Sequence, residues 1–244
     1  MEPLTLALIF GTFFFAAFLK GTAGLGFATT CLGIMAAYLD MRLAIPLVVV
    51  PSLLSNGLVM FEAGGFIRIF RRFWVMYAAA IPGLILGLWI LGDGATTLPR
   101  MVLGASMFLY GGWGLWGGSL RLTQSPALDT AMGLLTGTVN GLTGSQIMPI
   151  MPYLMSLDIT KDELVQAINT SFTLASLVML AGLGRLGLLS TEILIVSAVG
   201  IVPVGLGIFI GSRVRKKLPE AVFRKIVLGM ISLLGLVLLL KSCL

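Results

Sequence analysis

The stretch Asn140-Gly141-Leu142-Thr143-Gly144-Ser145-Gln146 sets two carboxamides and two hydroxyls beside glycines, between apolar runs that are each too short to cross a bilayer comfortably. Non-helical backbone at membrane depth persists only where protein covers it or where it lines a cavity. A helix starting anew at such a break exposes free N–H groups and the positive end of its dipole. With Asn140, Thr143, Gly144, Ser145 and Gln146 as neutral donors around it, the break can hold a small anion without a full countercharge. A second interruption near the N-terminus, Lys20-Gly21-Thr22-Ala23-Gly24-Leu25-Gly26-Phe27, offers the same chemistry through Thr22, the amides of Gly24 and Gly26, and the hydroxyls of Thr29 and Thr30. Lys20 is the one charged residue placed near membrane depth. It either snorkels to an interface or stands beside the anion path.

Further polar residues sit inside neighbouring apolar runs, Ser52, Ser55 and Asn56 in one and Asn169, Thr170, Ser171 and Thr173 in another. Serine and threonine in membrane helices commonly return their hydrogen bond to their own backbone, whereas an unpaired carboxamide is costly, so Asn56 and Asn169 lead this group, with Thr170 beside the latter. Other chemistries find little support. The chain has no histidine, which removes the usual haem ligand, zinc ligand and general base, and its two cysteines, Cys31 and Cys243, form no ligand spacing. No cofactor and no metal are expected. Ser145 has no histidine to act as base and no lysine obviously close, so an intramembrane enzyme is a minor alternative.

The elements that must position these groups follow from composition. At 58% hydrophobic and 11% charged residues, the chain is an integral membrane protein, because a soluble domain would be about one quarter charged. The runs 43–61, 73–92, 101–120, 163–183, 191–212 and 223–240 are each close to the ~20 residues that span the hydrocarbon as helix. Alternation with period 2, the mark of a membrane barrel, is absent. Short helical arms are expected at 4–19 and 26–38 around the first break, and at 127–139 and 146–157 around the second, with Pro149 and Pro152 making the last arm irregular. Met1-Glu2-Pro3 runs straight into Leu4 to Leu19 without a basic leader, so this end reads as retained.

The pattern repeats. Gly26 and Gly144 are separated by the same interval as Leu39-Asp40 and Leu157-Asp158, and Arg100-Met-Val-Leu-Gly104 matches Lys225-Ile-Val-Leu-Gly229. Two related membrane repeats, 1–122 and 123–244, therefore form one membrane domain, each a broken-helix hairpin (or two short helices) followed by three transmembrane helices. Gly83, Gly87, Gly104, Gly111, Gly112 and Gly229 read as contact points between closely packed helices.

Loop charge orients the halves. If each interrupted segment enters and leaves on one side, Arg68, Arg71, Arg72, Arg121, Lys161, Arg213, Arg215, Lys216, Lys217, Arg224 and Lys225 gather on one face, against Arg42, Arg100, Arg185 and Lys241 on the other. Single crossings would divide the same residues more evenly. The positive-inside rule thus favours hairpins, both termini outside, and a second half inverted relative to the first. Inverted repeats whose broken helices meet at the midplane are a transporter architecture. The net charge of +6 records this orientation rather than a nucleic-acid partner. The acids lie mostly at span ends or in loops. Asp129 and Glu192 are the candidates for ion coupling if either is deeper, and a sodium site of helix carbonyls stays open.

At these residues the chain resembles the TauE/SafE family of bacterial sulfite and organosulfonate exporters. The likeness rests on Gly21, Gly24 and Gly26, on Asn140-Gly-Leu-Thr-Gly144, on Asn169-Thr-Ser171 and on the two-half layout; the chain departs from it at Ser145-Gln146-Ile147-Met148-Pro149, where further glycines often follow. The resemblance implies a multi-pass protein of the bacterial inner membrane that exports sulfite or a C2 organosulfonate such as sulfoacetate. Alternating access at a central site between the two breaks is the expected mechanism. Its partners are then a small sulfur-containing anion and the lipid bilayer, with a homodimer left open. The alternatives are a membrane subunit or anchor that transports nothing and, within transport, import rather than export.

Overall fold

The computed structural model describes residues 1–23, 26–93, 97–118, 120–215 and 220–243. Among them the chain is helical throughout, in the order α1 (Pro3–Ala23), α2 (Phe27–Met35), α3 (Met41–Ala63), α4 (Phe66–Gly92), α5 (Thr97–Leu115), α6 (Pro126–Thr143), α7 (Ile150–Ser156), α8 (Lys161–Arg185), α9 (Thr191–Val199), α10 (Ile201–Arg215) and α11 (Glu220–Cys243). Among the described residues six stretches are long and apolar enough to cross a membrane: Pro3–Thr22, Met41–Phe61, Phe66–Gly92, Lys161–Arg185, Thr191–Val214 and Lys225–Ser242. The expected span at 101–120 exists as α5, which starts four residues earlier and ends at Leu115.

Helix starts follow local chemistry. Asp40 caps α3 by accepting the Arg42 N–H at 2.8 Å, Ser125 caps α6 ahead of Pro126, and Thr160 and Glu163 close a reciprocal box on α8. Several expected boundaries move. The first arm continues as helix through Lys20 and Thr22 instead of ending at Leu19. The second break begins only at Gly144, because Asn140 to Thr143 remain helical, and the arm after it shrinks from 146–157 to Ile150–Ser156. Helix α4 starts seven residues before Phe73, carrying Arg68, Arg71 and Arg72 on an entry turn with non-helical backbone at Phe73 (φ −110°, ψ 17°).

The most extensive helix pairs are α4 with α6, α1 with α10, α5 with α11, and α3 with α8. Glycines set the closest of these contacts. A Cβ on Gly83, Gly87, Gly133, Gly137 or Gly141 would strike backbone across the α4–α6 seam, where Met76 meets Gly133, Ala80 meets Gly137 and Leu84 meets Gly141, a parallel register. Gly207 and Gly211 meet α1 at Phe14 and Phe18, also parallel. Helices α5 and α11 run antiparallel, Gly104 meeting Gly235 and Gly111 meeting Leu228. Without a hydrophobic force between helices in lipid, such close backbone approach supplies much of the association. Gly112 and Gly229 do not belong to this set, since a Cβ at either would meet open space.

Two groups of contacts define the ends of the bundle. At one end Arg68 pairs with Glu163 at 3.3 Å, Arg72 Nε donates to Gln124 at 3.0 Å, Gln124 donates to Asp129 at 3.0 Å, and the Leu122 N–H donates to Ser156 O at 3.0 Å. Helix α6 therefore starts, and α7 ends, at the same face. At the other end the Met1 amine pairs with Glu192, and Arg42 Nη2 donates to Gly92 O at 3.1 Å. The arm closing the first hairpin is tied back to α1 by the hydroxyls of Tyr38 and Thr12, 3.0 Å apart.

Candidate functional site

Both breaks turn on a left-handed glycine. Gly26 has φ 94° and Gly144 φ 74°, the two glycines whose interval in the sequence suggested a repeat, and no side chain but hydrogen adopts this backbone without strain. At Gly144 space is also short: a Cβ would lie 2.9 Å from Leu32 Cδ1 and 3.2 Å from Ile45 Cγ2, atoms of the other half of the chain. The two tips touch through Thr29 and Ser145, whose hydroxyl oxygens are 2.7 Å apart and buried.

Where the tips meet, they and helices α3 and α8 line a small, partly open cavity. Its polar lining is Lys20, Gly26, Thr29, Ser52, Asn56, Asn140, Gly144, Gln146, Asn169 and Ser176, and its apolar walls include Phe27, Leu32, Ile45, Val48, Phe172 and Met179. Of the sequence-predicted residues, Lys20, Gly26, Thr29, Asn56, Asn140, Gly144, Gln146 and Asn169 are thus brought together. Thr30 is not on the lining, and nor are four others. Thr22 returns its hydroxyl to Leu19 O at 2.8 Å, and Thr143 donates to Val139 O at 2.6 Å while accepting the Ser145 N–H at 3.1 Å, so it shapes the turn. Ser145 faces Thr29, and Thr170 is fully buried in α8. Gly24 lies outside the described residues. Ser52 and Ser176 join the site, each one or two helical turns from a lining asparagine. That i, i+4 and i+7 spacing was the available signal.

Lys20 does not snorkel. It is 5% exposed, and its Nζ donates to Ser55 Oγ at 3.0 Å and Asn56 Oδ1 at 2.7 Å, both uncharged. It is the one ionisable side chain among the described residues on the cavity lining. A buried charge is normally paired, and here no carboxylate among the described residues pairs with it. The N-terminus of α2 adds to the positive character: Gly26, Phe27, Ala28 and Thr29 all line the cavity, no side chain caps the helix, and the first helical hydrogen bond is Thr30 N–H to Gly26 O.

The carboxamides differ in what they leave free. Asn140 makes no side-chain hydrogen bond among the described residues, and Gln146 accepts from Ser171 Oγ at 3.3 Å, which keeps its NH2 for the cavity. Asn169 donates to Val165 O at 2.8 Å and so presents its carbonyl oxygen. The Ser52 hydroxyl is buried with no partner. The two acids considered for coupling part company. Glu192 is exposed beside the Met1 amine, whereas Asp129 is buried, accepting from Tyr153 at 2.6 Å and Gln124 at 3.0 Å, away from the cavity lining.

A family model described as "Sulfite exporter TauE/SafE" matches residues 9–238. No curated protein and no solved structure matches the chain.

Proposed function

Because the chain belongs to the TauE/SafE sulfite exporter family, a family of membrane anion transporters, we propose that it is a secondary transporter exporting sulfite or a C2 organosulfonate such as sulfoacetate. One observation carries this reading: Lys20 is buried on the cavity lining, held only by neutral groups, with an uncapped helix start on the same wall. A small oxyanion supplies the missing negative charge. Donors from Lys20, Asn140, Gln146, Ser52 and the α2 backbone would surround its oxygens, and the Asn169 carbonyl suits a proton retained on the anion, as in hydrogen sulfite. Restraint in this charge balance favours transport, since an anion held by one lysine and neutral dipoles can also leave.

Alternating access is the proposed mechanism. In support, the pairs α1–α10 and α4–α6 exchange roles between residues 1–122 and 123–244, and the antiparallel α5–α11 seam is what two halves inverted about an in-plane axis would make. The face bearing Arg68, Arg71, Arg72 and Lys161 is assigned to the cytoplasm by the positive-inside rule, with the protein in a bacterial inner membrane. Purified protein in liposomes should exchange labelled sulfite or sulfoacetate. Binding without flux would favour a non-transporting subunit, and turnover of a lipid or peptide would favour an enzyme.

A further inference from the structure

Gln166, on α8, is 1% exposed, and among the described residues neither its carboxamide oxygen nor its nitrogen has a hydrogen-bond partner. Thr136, on α6, is equally buried and its hydroxyl is equally alone. Both sit in the same relation to the cavity. Gln166 lies three residues before Asn169 and Thr136 four residues before Asn140, and both asparagines line the cavity. Each is therefore about one helical turn, roughly 4.5 to 6 Å along the axis, from the lining asparagine toward the start of its helix.

Those starts share one face. Arg68 holds Glu163 near the start of α8, and Arg72 reaches Asp129 near the start of α6 through Gln124. Tyr77 of α4 donates to Ala167 O, the residue after Gln166, at 3.2 Å. Along the axes of α8 and α6 the unpartnered groups are thus displaced from the cavity lining toward the face that carries Arg68, Arg71, Arg72 and Lys161. In a membrane interior a carboxamide with both ends unsatisfied is strongly disfavoured, and an apolar residue of similar size would serve packing better. Such a group calls for a partner that water, a ligand or another state of the protein supplies.

We propose that Gln166 and Thr136 are a transient anion station on the route between the cavity and the basic face, hydrated or bound to the anion when that side opens and left bare when it is shut. This rests on the anion-transport reading above and adds to it the path of exit, between α6 and α8. The station is neutral, so it gives the anion hydrogen bonds on the way without a charge that would trap it.

The test uses Gln166→Leu and Thr136→Val in proteoliposomes, with labelled sulfite or sulfoacetate, whichever the wild type exchanges faster. Both variants should melt at or above the wild-type temperature, since each removes unsatisfied buried polar atoms. Equilibrium affinity should stay within about twofold of wild type, while the exchange rate falls roughly tenfold or more. A wild-type exchange rate in both variants overturns the inference. A marked drop in melting temperature for both also overturns it, by showing that the groups are structural. If the wild type itself exchanges no anion, the transport reading fails and takes this inference with it, a result distinct from the other two.

Discussion

Replacing Lys20 by methionine isolates the charge on which the anion site depends. Methionine keeps the length and flexibility of the stem, and Lys20 is buried with no carboxylate on its nitrogen, so the variant removes a charge without orphaning an opposite one. The loss to the fold is small. Ser55 keeps its bond to Ser52 O at 3.1 Å, Asn56 loses one donor, and the burial cost of the ammonium disappears at the same time. The effect on binding is larger. A unit charge about 4 Å from an anion is worth up to about 4 kcal/mol at an effective dielectric near 20, and part of this is recovered by the remaining neutral donors. A net loss of about 2 to 4 kcal/mol raises Kd roughly 30- to 1,000-fold. Calorimetric titration of detergent-purified protein with sulfite and sulfoacetate measures this directly, alongside the melting temperature. Lys20→Arg should retain much of the affinity. A methionine variant that binds within about threefold of wild type would refute the assignment of Lys20 to the anion.

Two other outcomes follow from the geometry. Gly144→Ala should cost about 2 to 3 kcal/mol, from a left-handed backbone and from the clash with Leu32 and Ile45, whereas Gly26→Ala should cost about 1 to 2 kcal/mol because only Thr30 Oγ1, 3.9 Å away, is near its Cβ; chemical denaturation in detergent ranks them, and equal costs would contradict the tip-to-tip packing. In intact cells Cys243 should label from outside with an impermeant thiol reagent while Cys31, fully buried, stays unreactive; labelling of Cys243 only after lysis would reverse the proposed orientation.

Much of the fold was legible because its signals are local. Left-handed glycines must be glycine, and the repeat singled out Gly26 and Gly144 from type and interval alone. The spacing of apolar runs likewise announced an all-helical membrane protein with several spans. Boundaries were less visible, and for a physical reason: Lys20, Thr22, Asn140 and Thr143 read as breakers by polarity, yet stay helical because Thr22 and Thr143 bond their own backbone and Lys20 finds α3. Helix α4 begins early because its arginines sit on an entry turn rather than in the apolar span. Pairings between helices carry no local signal, so the meeting of Thr29 with Ser145 and the isolation of Gln166 emerged only in three dimensions. The same holds for glycines, of which Gly83 and Gly104 touch a neighbouring helix and Gly112 and Gly229 do not.

The central claim is that the cavity between the break tips is the anion site and opens to each side in turn. Ser52→Cys, in a background lacking Cys31 and Cys243, puts a thiol on its wall at a hydroxyl that is buried and unpartnered. In sealed vesicles of either orientation, the thiol should react with an impermeant reagent from both sides, and sulfoacetate, if exchanged, should slow both reactions with the concentration dependence of its exchange. Labelling confined to one side, or rates that the exchanged anion leaves unchanged, would contradict the account.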